Sequence, residues 1–88
     1  MASYRPITTE IAAPTTSGTA TTVSNADVVR VTNTTTSNHL LTLLNADDET
    51  IGTLTLGKGE IFLLKKREDD KVFAANSSVR LTRVTYPR

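Results

Sequence analysis

The sequence predicts an all-β protein, a small antiparallel β-sandwich or barrel-like jelly roll of six to seven strands. Three observations carry this. Seventeen of the 88 residues are threonine, many interleaved with valine and leucine as in VVRVTN and TIGTLTL. Threonine's branched Cβ stiffens χ1 and suits a pleated surface, while its hydroxyl tolerates water, so this alternation builds sheet with one wet face. Short apolar runs recur about every 10 residues between clusters of turn formers, and no segment has the 3.6-residue period of a helix longer than a turn.

The first 20 residues stand apart. Pro6 and Pro14 interrupt any regular element, Gly18 loosens the chain, and apolar side chains are sparse. Residues 1–20 are read either as a mobile terminus or as an extended arm ordered by a neighbour, with Tyr4, Ile7 and Ile11 as its protein contacts. Residues 21–88 then form the sandwich domain.

Within that domain Thr21–Ser24 is a short candidate strand. Asp27–Asn33 alternates, placing Val29 and Val31 on one face. His39–Leu44 is an apolar run bracketed by turn formers, with Leu41 and Leu43 inward. Thr50–Leu56 places Leu54 and Leu56 on one face, and Gly57-Lys58-Gly59 turns the chain into Glu60–Lys66, where Leu63 is expected inward. Lys71–Ala75 and Val79–Tyr86 complete the set. The predicted core is therefore Val29, Val31, Leu41, Leu43, Leu54, Leu56 and Leu63. In the last strand the period slips, since Val79 and Leu81 share one face and Val84 and Tyr86 the other. Either a bulge lies near Thr82-Arg83 or the two ends are buried differently, against the sheet and then against a neighbour.

Composition narrows the function classes. The chain has no cysteine, so neither a disulfide framework nor a thiolate metal site is available to staple a small core, and oligomerisation is the expected route to stability. Net charge is +1, without the basic surplus that nucleic-acid binding uses. No run approaches the ~18 apolar residues of a membrane span, and no apolar signal segment opens the chain. The sequons at Asn33 and Asn76 read as chance products of a chain rich in threonine and serine.

Asp47-Asp48-Glu49 lacks the alternating oxygen ligands and bend of a calcium loop and reads as a hairpin turn. Lys65-Lys66-Arg67-Glu68-Asp69-Asp70-Lys71 reads as a solvated turn that could also meet a symmetry mate. His39, the one histidine, cannot build a triad or a multi-histidine site alone. No serine sits in a nucleophile elbow, and Gly57-Lys58-Gly59 is too short for a phosphate cradle. No enzyme, metal, cofactor or small-molecule substrate is expected.

From residue 23 on, the strand cadence resembles small virion structural proteins of tailed bacteriophages, especially phages of marine bacteria. It runs through Val29–Asn33, Leu40–Leu44, Ile51–Leu56, Gly59-Glu60, Ile61–Lys66, Asp69-Asp70, Val72–Ala74 and Val79–Tyr86. The resemblance implies a repeated shell or tail component: a β-sandwich present in many copies, without cofactor. Its implied partners are itself, as a homo-oligomer, and other virion proteins such as the major capsid protein. The implied location is the virion, after synthesis in the host cytoplasm. A carbohydrate- or surface-binding sandwich is the alternative from a different class.

Overall fold

The computed structural model describes residues 4–85, as eight strands and one short 3-10 turn. The strands are β1 (Arg5–Pro6), β2 (Ile11–Ala12), β3 (Val28–Asn33), β4 (His39–Leu44), β5 (Thr50–Leu56), β6 (Ile61–Lys65), β7 (Lys71–Ala74) and β8 (Val79–Thr85). They form two antiparallel sheets, one of five strands and one of three, packed as a small β-sandwich. In the first sheet β6 pairs with β3, β3 with β8, and β1 and β2 share the far edge of β8. In the second, β4 lies between β5 and β7.

Among the described strands only the β4–β5 connection is a hairpin. Its turn is built by Asn45, whose Oδ1 accepts from the Asp47 and Glu49 amides, with Asp48 at φ 63°. The acidic run thus serves as turn chemistry, and Asp48 also pairs with Lys71 of β7 at 2.9 Å. The expected turn at Gly57-Lys58-Gly59 forms, with the Glu60 amide donating to Gly57 O at 3.0 Å and Gly59 at φ 72°. It carries the chain across from one sheet to the other, where sequence alone could not distinguish an arch from a hairpin.

Alternation along the strands sends Val29 and Val31 of β3, Leu41 of β4, Leu56 of β5, Leu64 of β6, Val72 and Ala74 of β7, and Val79 and Leu81 of β8 into one cluster. Leu43 and Leu54 pack against that cluster but are only partly buried, because they face the β5–β6 side of the sandwich. Leu63 does not belong to it. The β3–β6 register sets Phe62 opposite Val31 and Leu64 opposite Val29, so Leu63 stands opposite Arg30 on the outer face and is half-buried. The run Ile61-Phe62-Leu63-Leu64 is apolar at every position, so its phase is unreadable until a partner strand fixes the register.

One further expectation changes, and one open choice is decided. Thr21–Ser24 is not a strand. Thr21 makes one bridge to Val72, and Val23, Ser24 and Asn25 are left-handed at φ 53°, 56° and 59°. This conformation is costly for a β-branched residue. It places the Val23 side chain in the core, at 3% exposure, while Thr21 and Thr22 Oγ1 accept from the Val23 and Asn25 amides. β8 keeps an unbroken register with β3, so its slipped period reflects burial on both faces. Val79 and Leu81 face the core, whereas Thr82 and Val84 are buried on the outer face. Tyr86 lies outside the described residues.

A polar clamp joins the sheets. Asn33, at the end of β3 and fully buried, directs Nδ2 to the carbonyls of Ser37 (2.9 Å), Leu56 (3.2 Å) and Gly57 (3.1 Å). Its Oδ1 accepts from the amide and hydroxyl of Thr35. One side chain therefore ties β3, the β3–β4 loop and the end of β5. Such burial also makes this sequon inaccessible in the folded chain.

At the opposite end Lys66 is buried, and its Nζ donates to Arg67 O at 3.0 Å and Glu68 O at 3.4 Å. Burial holds its pKa below 10.5 against the pull of Asp70 and other nearby acids.

Three outcomes follow for stability. Asn33→Asp, isosteric but with an acceptor facing three carbonyls, is expected to cost at least about 2–3 kcal/mol in denaturant titration. Leu56→Ala is expected to cost about 2–5 kcal/mol, and Leu63→Ala distinctly less because the side chain is outside the core. Because folding disfavours the charged form of Lys66, the unfolded chain binds more protons between the lowered folded value and 10.5, and stability rises with pH there. Urea midpoints of the wild type and Lys66→Met, compared at neutral pH and near 10.5, are expected to show a gain from this group in the wild type alone.

Candidate assembly surface

Residues 4–21 lie on their own sandwich, largely extended apart from the 3-10 turn at Ser17–Thr19. β1 pairs Arg5 with Thr85 and Pro6 with Val84, and β2 pairs Ile11 with Leu81 and Ala12 with Arg80. Five steps along the arm thus match three along β8, and two residues are looped out between Pro6 and Ile11. Across the gap the Ile7 amide donates to Arg83 O at 3.0 Å, and Thr8 Oγ1 accepts from the Arg83 amide at 3.2 Å.

The chain then crosses to the second sheet. Ala13 N donates to Val79 O, Pro14 O accepts from Ala74 N at 2.9 Å, and Thr21 exchanges both backbone hydrogen bonds with Val72. Ala13 is itself a core residue at 3% exposure. The division at residue 20 therefore does not separate an arm from a domain: residues 4–20 supply edge strand, core and cover. Sparse apolar content suggested independence, but backbone hydrogen bonds to exposed sheet edges do not depend on side-chain identity.

The three expected contact residues have different fates. Tyr4 turns inward over the outer face of the first sheet, where its Oη accepts from Arg30 Nε at 3.0 Å. Ile7 and Ile11 remain exposed, at 41% and 38%, on the β8 flank. Pro6, opposite Val84 in the register, shares Tyr4's side of the sheet and helps bury Val84 there.

This packing leaves a shallow groove of about 340 Å³ lined by Tyr4, Pro6, Thr8, Glu10, Arg30, Thr82 and Val84. It offers an aromatic ring, a guanidinium and a carboxylate over an apolar floor. Nothing in the sequence joined Arg30 to Tyr4; the pair exists because the arm folds back across β8.

The other exposed large apolar side chains among the described residues are Leu40, Ile51 and Ile61. Ile51 belongs to β5 and Ile61 to β6, the strands that end their sheets on the flank opposite the arm. Leu40 lies on the outer face of β4. The candidate surface therefore has two parts: Ile7 and Ile11 on one flank, Ile51 and Ile61 on the other. Comparison of the chain with protein families, curated proteins and solved structures returns no match.

Deleting residues 1–20 is expected to destabilise the whole sandwich, since each lost backbone hydrogen bond is worth about 0.5–1.5 kcal/mol and the edges of β8 and of β7 at Ala74 are uncovered. Ile7→Glu and Ile11→Glu are expected to stay within about 0.5 kcal/mol of wild type. Thermal melts of the three variants check both.

Proposed function

We propose that the chain is a structural subunit of a bacteriophage particle, a capsid decoration or cement protein that stabilises the shell through many repeated contacts. Its partners in this reading are further copies of itself and other virion proteins such as the major capsid protein; it has no enzymatic activity. The observation that carries the reading is the placement of exposed isoleucines on opposite flanks, Ile7 and Ile11 beside β8, Ile51 and Ile61 on β5 and β6. A subunit that is adhesive on two sides can bridge two neighbours, and a modest contact repeated by symmetry becomes strong. The strand cadence that resembles small phage virion proteins supports the same reading.

The groove favours a second reading, a surface- or carbohydrate-binding module at a tail, neck or fibre. Tyr4, Glu10 and Arg30 give it the ring and the polar groups that orient a polar ligand in a mostly apolar pocket.

Quantitative mass spectrometry and electron microscopy of purified particles distinguish the two. The shell reading predicts a copy number set by capsid symmetry, and incorporation lost in Ile7→Glu/Ile11→Glu although the variant folds. A few copies confined to the tail, with glycan binding lost in Arg30→Ala, support the second reading. Absence from particles overturns both.

A further inference from the structure

Among the described residues three lengths of sheet edge lack a partner strand: the outer side of the arm, β6 and β5. Folded proteins protect such edges with charge, proline or irregularity. The arm edge carries Arg5, Pro6 and Glu10, and β6 ends in Lys65 between Glu60 and Lys66. β5, Thr50–Leu56, carries neither charge nor proline over seven residues. Its irregularity is a bulge at the Ile51 end, where Leu43 faces Gly52 and Leu44 faces Thr50.

Hydrogen bonding fixes which β5 groups point outward. Ala75 N donates to Leu40 O, so Leu40, Thr42 and Leu44 direct their backbone groups to β7, and Leu41 and Leu43 direct theirs to β5. Gly52 and Leu54, opposite Leu43 and Leu41, therefore bond to β4, and the N–H and C=O of Thr53 and Thr55 face away from it.

Beside this edge lies a cavity of about 170 Å³ lined by Leu41, Leu43, Gly52, Thr53, Leu54 and Leu64. It is open at Gly52, where an added Cβ would meet nothing within 4 Å. A pocket of this size and lining accepts a small apolar group.

We propose that β5 is a self-association strand that pairs antiparallel with β5 of a second copy about a two-fold axis at Thr53. In that register Thr53 exchanges its backbone hydrogen bonds with the partner's Thr53, and Gly52 stands opposite the partner's Leu54. The partner's Leu54 enters the cavity at Gly52, and this chain's Leu54 enters the partner's, as an isologous interface requires. The ends agree as well. Antiparallel pairing brings the acidic turn Asp47-Asp48-Glu49 of one copy beside Lys58 of the other, twice per dimer, and the strand between is uncharged. Two three-stranded sheets become one of six. The inference does not use the particle reading, since the purified chain alone decides it.

Sedimentation of the purified chain between about 1 μM and 1 mM is the test. The wild type is expected to pass from monomer to dimer in that range. Gly52→Val places its Cβ in open space and its methyl groups at the mouth of the socket, and is expected to keep the wild-type circular dichroism and lose the dimer. Lys58→Glu is expected to weaken association about tenfold, and Asp47→Lys/Lys58→Glu to restore it. These surface changes hold the test open if Gly52→Val fails to fold. A wild type that stays monomeric throughout overturns the proposal. So does a dimer indifferent to the Lys58 and Asp47 changes, or capture of a foreign strand at β5 without self-association.

Discussion

Unpaired sheet edges are the constraint around which this molecule is organised. A two-sheet sandwich has four long edges, and each exposes a row of N–H and C=O groups that must find water or a partner. Residues 4–21 resolve one side: the chain runs beside β8, crosses at Ala13 and Pro14, and reaches Val72 and Ala74 on β7. The segment asks little of its side chains, so threonine, alanine and proline suffice. Once that side is closed, the β5–β6 side is the one that stays open, and the partly buried Leu43 and Leu54 are found there.

The two sheets are tied at the ends as well as through the apolar cluster. Asn33 fills a position that pure alternation would give to valine, and from the first sheet its amide reaches carbonyls of the β3–β4 loop and of the end of β5 in the second. In a low-dielectric interior these bonds are strong, and losing them would leave buried carbonyls unpaired. Val23 is the counterpart at the other end, an apolar plug held in a left-handed turn by threonine hydroxyls. A domain without disulfides thus locks its sheets with one buried amide and one strained turn.

Much of the strand pattern was legible because period two is a strong signal. β4 and β5 have the bounds the alternation predicts, and Val29, Val31, Leu41 and Leu56 lie in the core. What was not legible depends on partners. The choice between Leu63 and Leu64 needs the register against β3. The arm's resting place needs the edges of β7 and β8, which are remote in sequence. The slip in β8 could be seen, but not that the chain's own Tyr4 and Pro6 line its outer side. Gly52 did leave a trace, as a lone glycine in an otherwise apolar and threonine alternation, a position that often marks close approach of another backbone.

A closed flank and an open flank give the chain two different faces, one carrying the exposed Ile7 and Ile11, the other the β5 edge proposed for self-association. That asymmetry rests on the N-terminal segment being part of the fold. Residue-resolved amide hydrogen exchange on the dilute chain measures this directly. The amides of Ala13, Thr21, Val72 and Ala74, each bonded across the closure, are expected to exchange as slowly as those of Val29 and Val31. Rapid exchange at these four positions, with Val29 and Val31 still protected, would contradict the closure.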